Sequence, residues 1–158
     1  MIVDLLRNDL GRVCQPGSIR VPQLVGLESY ANVHHLTSVV TGELRQECSW
    51  VDLLRACWPG GSISGAPKLR ACQRLAELEP VPRGAYTGTA GWFGASGDSA
   101  FNILIRTVFI EGGRAHFHVG AGVVADSIAE KEWQETLDKA AGILLAAERL
   151  AGSHPKQS

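Results

Sequence analysis

Apolar positions along the chain switch several times between a helical and a strand-like period, and the switches mark its elements. IVDLLRNDLG carries its hydrophobic residues at helical spacing and stops at Gly11. CQPGS then breaks the chain, and Ile19 to Val21 reads as a short strand. The β-branched and apolar residues from Tyr30 to Leu44, around HHLTSVVTG, predict a long strand. Ser49 followed three residues later by Asp52 has the form of a helix start, opening a helix over VDLLRACW that Pro59 and Gly60 stop. After the polar loop PGGSISGAPK, Ser64 is placed to cap a further helix. Pro67 would sit in its first turn, and Leu69, Cys72, Leu75 and Ala76 form its apolar stripe as far as Pro80.

From residue 84 to 124 the period is that of strands: GAYTGTAGWFGA, AFNILIRTVFI and RAHFHVGAGVV, the last two joined at Gly112 and Gly113 by a hairpin signal. Asp126 or Ser127 starts a last helix that runs to about Leu150, and residues 151–158 form a polar tail. Strands followed by a helix, without strict βαβ alternation, make the class α+β, with residues 1–150 as one domain-sized stretch. The apolar run begins straight after Met1 with no polar lead-in, so the chain reads as the later part of something longer.

Composition narrows the function classes. The chain has 158 residues, 45% of them hydrophobic, which is enough for a real core. A formal net charge of -1, with scattered Lys and Arg, leaves no basic surplus for nucleic acid. No apolar run approaches the roughly 18 residues of a membrane span. No export leader is evident, so a cytoplasmic location is expected. Cys14, Cys48, Cys57 and Cys72 form no C-x-x-C pair, and reduced thiols are the simpler reading than a disulfide framework or a zinc ribbon.

Candidate chemistry collects at a few places. Gly60 and Gly65 have the G-x-x-x-x-G spacing of a phosphate-binding loop, but Ala66 and Pro67 stand where such a loop needs Lys and Ser or Thr. A nucleotide- or phosphate-binding module on residues 60–68 is the rival reading from a different class. What remains is a loop opening into a helix, which aims N–H donors at something negative.

On the last helix, Glu132, Glu135 and Lys139 are spaced i, i+3 and i+7 and share a face beside the apolar stripe of Trp133, Leu137, Ala140 and Leu144. Two carboxylates there can hold a divalent cation, with the lysine balancing charge or meeting an anion; a solvated face with Glu-Lys support is the plainer alternative. His34 and His35 are adjacent on a strand, so at most one serves a given site. His116 and His118 share a strand face and could grip a transition metal, against the plainer reading of a solvent-facing or core pair. Arg106, amid NILIRTVFI, wants a carboxylate from protein or ligand. Gly120 and Gly122 mark a close backbone approach or a bulge. Donors, an arginine, a histidine and two carboxylates suit a small multi-carboxylate anion.

The ordered series VDLLRNDLGRV, VHHLTSVVTGEL, PGGSISGAPKLRA, LEPVPRGAYTGTAGW, FNILIRT, GAGVVADS and EWQETLDKA resembles the chorismate-utilising enzymes over nearly the whole chain. That family includes the synthase subunits of aminodeoxychorismate and anthranilate formation. PGGSISGAPK is more similar to the aminodeoxychorismate synthase component I form than to the anthranilate form, which more often reads PAGT. The resemblance implies part of an anthranilate synthase component I-like α+β sandwich. It also implies chorismate as substrate, ammonia from a glutamine amidotransferase partner, and magnesium.

Carried over by resemblance, Glu135 and Glu132 hold magnesium on the ring carboxylate, and Tyr86 and Arg106 hold the enolpyruvyl carboxylate. The backbone at Gly120 and Gly122 lines the pocket, Ser62 and Lys139 fall at pocket positions, and His35 is a general acid for the departing hydroxyl. Lys68 closes the SGAPK signature. Two departures stand out. Ala100 occupies a position that is usually Asp in the family. The family's P-I-x-G-T segment, whose x is Lys in aminodeoxychorismate synthases and Ala in anthranilate enzymes, is absent from this sequence.

Overall fold

A computed structural model describes residues 1–30 and 34–152. The chain divides into two compact units, Met1–Pro82 and Arg83–Ser158.

Unit 1 opens with α1 (Ile2–Gly11), followed by an antiparallel hairpin of β1 (Arg20–Ser29) and β2 (His34–Thr41). Three helices close it, α2 (Trp50–Cys57), the single turn α3 (Gly61–Ser64) and α4 (Lys68–Leu78). β1 is much longer than the three residues its pattern predicts. Pro22 cannot donate to a ladder, and the register shifts between Arg20 and Gln23 and again between Gln23 and Gly26. These bulges break the strict alternation on which a sequence reading depends. Val25 lies at φ 52°, and its N–H donates to the Ser38 hydroxyl instead of a backbone carbonyl. The expected strand from Tyr30 to Leu44 is observed as β2, with Ala31 to Val33 outside the described residues.

The core of unit 1 is Val13, Cys14 and Ala56, with Leu10, Ile19, Leu44, Cys48 and Leu53 packed around them. Burial pushes the thiols of Cys14 and Cys57 above their ordinary value, the Asp9 charge adding to the effect at Cys57. All four cysteines are free.

α2 starts where expected. The Ser49 hydroxyl accepts from the Asp52 N–H, and the Ser49 N–H donates to the Asp52 carboxylate at 2.8 Å, a reciprocal capping box. Ser64 does not cap α4, whose N-cap is Pro67. The Ser64 hydroxyl instead donates 3.0 Å back to the carbonyl of Gly60, closing α3. Residues in the PGGSISGAPK loop thus fold onto themselves.

Unit 2 begins with a turn through Gly84 to Gly88 and two antiparallel pairs: β3 (Thr89–Phe93) with β4 (Ser99–Ile103), and β5 (Val108–Glu111) with β6 (Arg114–Phe117). The β5–β6 turn falls at Gly112 and Gly113, both at positive φ, as the hairpin signal requires. The predicted strands are shorter here because β6 stops at Phe117, leaving HVGAGVV as extended loop. The last helix is α5 (Ala129–Gly152). It starts two residues after Ser127, and residues 153–158 of the expected tail lie outside the described residues. No described helix is long and apolar enough to cross a membrane.

Apolar surface stays open in both units. Leu24, Leu27 and Leu36 on the β1–β2 hairpin are each about two-thirds exposed, as is Trp133 on α5.

Replacing Ser49 with Ala is expected to cost about 1 kcal/mol through loss of the cap. Asp52 is held below its ordinary value of 3.8, first by the Ser49 hydroxyl. Its contribution is therefore present above pH 3.8 and is lost as pH falls further through the lowered folded value. Urea midpoints for wild type and Asp52→Asn, measured from pH 7 down to 2.5, should converge at the acid end.

Candidate functional site

The polar residues of unit 2 gather where the Tyr86 turn, the glycine segment after β6 and the first turns of α5 approach one another. The turn is fixed by two backbone hydrogen bonds, from Thr87 N–H to Leu104 C=O at 2.8 Å and from Leu104 N–H to Gly88 C=O at 3.0 Å. They hold the Tyr86 turn against the segment that follows β4, in which Arg106 comes two residues after Leu104. Thr87 is buried and lies at φ 64°, a left-handed geometry sustained by these bonds and by the Arg83 guanidinium, which donates to its hydroxyl at 3.1 Å.

Tyr86 has two ring contacts. The His118 ring stacks on it with centroids 5.4 Å apart and planes 15° apart, and the Arg83 guanidinium sits 5.8 Å from its centroid. Its hydroxyl points at Gly120, where a Cβ would lie 3.1 Å from the phenolic oxygen. A side chain at this point would push on the phenol by a few tenths of an ångström. Gly122 stands in open space.

Lys139 reaches from α5 to the same place, its Nζ donating to the Gly120 carbonyl at 3.1 Å and pairing with Glu135 Oε1 at 2.6 Å. The Glu-Lys support expected on this helix face is therefore present, with a second role in holding the glycine segment.

One turn earlier, Glu132 is partly buried. Its Oε1 accepts from the Ser127 hydroxyl at 2.6 Å, while its Oε2 is buried with no hydrogen-bond partner among the described residues. Buried carboxylate oxygens are rarely left unmatched. The donor set fits magnesium, which takes one or two carboxylates and completes its shell with water or substrate oxygens. Among the described residues no group of three or more His, Cys, Asp or Glu is arranged to hold a metal ion. Glu132 has a carboxylate oxygen open to such an ion, whereas Glu135 already pairs through Oε1 with Lys139.

Arg106 is exposed at φ 50° and makes no ion pair among the described residues. The burial on which its need for a carboxylate was argued is not observed, because a bend at Arg106 interrupts the apolar run and leaves the residue exposed; of the two expected partners, a protein carboxylate is not found among the described residues. His116 stacks on Phe109 across the β5–β6 pair, while His118 lies beyond the end of β6 and stacks on Tyr86, so the two do not form the strand-face pair expected of them.

The remaining candidates lie in unit 1. His35 is exposed on β2, opposite Glu28, with its ring edge-on to Tyr30 at 5.6 Å. His34 faces Ser29 at 3.1 Å. Ser62 is exposed on α3. The same turn argues against a phosphate cradle, because the N–H groups of Ile63 and Ser64 bond to Gly60 C=O and that of Gly65 to Gly61 C=O. Donors engaged inside a helical turn cannot also wrap an anion. Lys68 is likewise engaged, at 3.0 Å from Asp9 Oδ1.

Arg83 and Asp9 were not singled out by the sequence, and the partnerships of Ser127 with Glu132 and of His118 with Tyr86 were not foreseen. Ser127 was legible only as a helix start and His118 only as half of a histidine pair; Arg83 meets Tyr86 and Thr87 within its own turn, while Asp9 and His118 meet their partners through contacts between distant segments.

Comparison with known proteins gives the class. The model of the chorismate binding enzyme family matches residues 1–145, and the chain belongs to that family. It is 49% identical over 148 residues to aminodeoxychorismate synthase component 1 of Bacillus subtilis, covering 94% of this chain and 32% of that protein. It is 50% identical over 144 residues to anthranilate synthase component 1 of Lactococcus lactis, covering 91% and 32%. The crystal structure of anthranilate synthase component I from Streptococcus pneumoniae superposes with a TM-score of 0.81 at 47% identity, over 89% of this chain and 32% of that one. The chain thus spans about a third of the length of the relatives it matches, and the two synthase types are equally near.

Gly120→Ala is expected to drive the Tyr86 hydroxyl from its position at a cost of about 1–3 kcal/mol. A shift of the Tyr86 ring resonances, as the ring slides on His118, together with a lower urea midpoint would register it.

Proposed function

We propose that this chain carries part of the chorismate site of an enzyme that replaces the ring hydroxyl of chorismate with an amine, in the manner of aminodeoxychorismate synthase component I. The observation that carries the reading is the α5 arrangement, in which Glu132 keeps a buried oxygen free beside Glu135 while Lys139 ties the helix to Gly120 next to Tyr86. It supplies a cation-binding end and an anion-binding end on one short path, which suits a substrate with two carboxylates. The PGGSISGAPK form of the loop favours the aminodeoxychorismate branch over the anthranilate branch.

Magnesium, when bound, would neutralise the ring carboxylate and draw charge towards it as the hydroxyl departs. Glu132 and Glu135 would hold it. The exposed Arg106 guanidinium, with no internal partner among the described residues, is free to take the enolpyruvyl carboxylate in a forked pair, and the Tyr86 hydroxyl would donate to the same group. Gly120 and Gly122 offer a backbone without side chains against which the ring can lie. His35 would donate a proton to the leaving hydroxyl. Ser62 would contribute a hydroxyl donor, and Lys139 acts by fixing Gly120 and Glu135. Ammonia would come from a glutaminase partner.

The chain by itself is expected to bind chorismate and to turn it over slowly or not at all. Calorimetric titration should show chorismate binding that tightens with magnesium, and Glu132→Gln should remove that dependence. With ammonia present, any product should be aminodeoxychorismate rather than anthranilate. Binding of ATP with no response to chorismate would overturn the reading in favour of a nucleotide module.

A further inference from the structure

Lys68 is the last residue of the PGGSISGAPK stretch and the first of α4. Its Nζ lies 3.0 Å from Asp9 Oδ1 on α1 and donates at 3.0 Å to the carbonyl of Ala56 on α2. The side chains keep only 20% and 7% of their exposure, so the ammonium is committed inside unit 1. Three helices therefore converge on one charge, and the turn α3 is strung between two of them.

That turn is held against α1 as well. Gly61 is buried, and a Cβ there would approach Leu5 Cβ to 3.2 Å. Ser64 is buried and bonded back to Gly60, which leaves Ser62 as the serine of the turn that faces outward.

We propose that Lys68 and Asp9 form a positioning clamp for the 60–64 turn, setting the outward orientation of Ser62, and that Lys68 itself does not touch the ligand. The part played by Ser62 rests on the chorismate reading above; the clamp rests on the geometry of unit 1. Removing either charge strands the other in a buried place, so the site must open to admit water, and α1 and α4 part where the turn is anchored. A small displacement of a substrate-facing hydroxyl is enough to weaken recognition.

The test uses the 158-residue chain with Lys68→Met, Asp9→Asn, Lys68→Arg and the double variant Asp9→Asn/Lys68→Met. Three quantities are read: the amide shift of Ser62 by 15N NMR, the chorismate dissociation constant in magnesium, and the urea midpoint. Each single neutralisation should move the Ser62 amide and weaken chorismate by about tenfold or more. Lys68→Arg should recover most of the affinity. In the double variant, which leaves no stranded charge, the urea midpoint should return towards wild type while the Ser62 shift persists.

If Lys68→Met weakens binding and Asp9→Asn does not, Lys68 is a ligand contact and the clamp is overturned. A lowered urea midpoint with Ser62 unmoved makes the pair merely structural, which also overturns it. If the singles do not fold, the arginine and double variants decide by the same readouts. If wild type fails to bind chorismate, the functional reading falls, and the Ser62 amide alone judges the clamp.

Discussion

The ammonium of Lys68 and the carboxylate of Asp9 meet at 3.0 Å within unit 1, and the packing of α1, α2 and α4 has to keep these two charges together. Neither is near enough to solvent to be hydrated fully, and the Ala56 carbonyl takes one more of the ammonium protons. Breaking such a pair by removing one partner typically costs about 3–5 kcal/mol, much of it the cost of the stranded charge. That is large against the small core of Val13, Cys14 and Ala56. The pair thus constrains how α1, α2 and α4 can pack, since separating them would leave a charge buried without its partner.

Unit 2 solves a different problem. Its described strands make two separate hairpins, and its turn carries a threonine at positive φ. Order there comes from polar contacts that cross between elements. Leu104 exchanges backbone bonds with the Tyr86 turn, Lys139 holds the Gly120 carbonyl, and Ser127 holds one oxygen of Glu132. The Glu132 oxygen left without a partner is the exception to a network otherwise satisfied, and it lies on the helix face where two carboxylates were expected to serve a cation.

The phosphate-loop reading fails for a structural reason that complements the sequence one. Gly60 to Gly65 form a closed helical turn, which uses the N–H groups an anion would need. Lys68 has turned inward to Asp9. A glycine-rich loop followed by lysine is therefore compatible with two opposite uses of the same residues, presenting donors outward or consuming them internally.

Local signals decided much of this protein. Ser49 and Asp52 cap α2, Gly112 and Gly113 turn the last hairpin, and Glu135 and Lys139 pair one turn apart on α5, because each depends on residues close in the chain. The order of the motifs likewise marked the family. What the sequence could not decide was anything set by distant partners. β1 was mostly hidden, because Pro22 and two bulges spoil its alternation while its pairing with β2 restores it. Ser64 looked like a cap until α3 formed and claimed it. Arg106 looked buried until the bend after β4 exposed it. Lys68 and Asp9, 59 residues apart in number, become one feature only when α1 and α4 pack. Hydrogen bonds and charges are satisfied by whichever partner is near in space, and for these residues tertiary packing alone determines which partner that is.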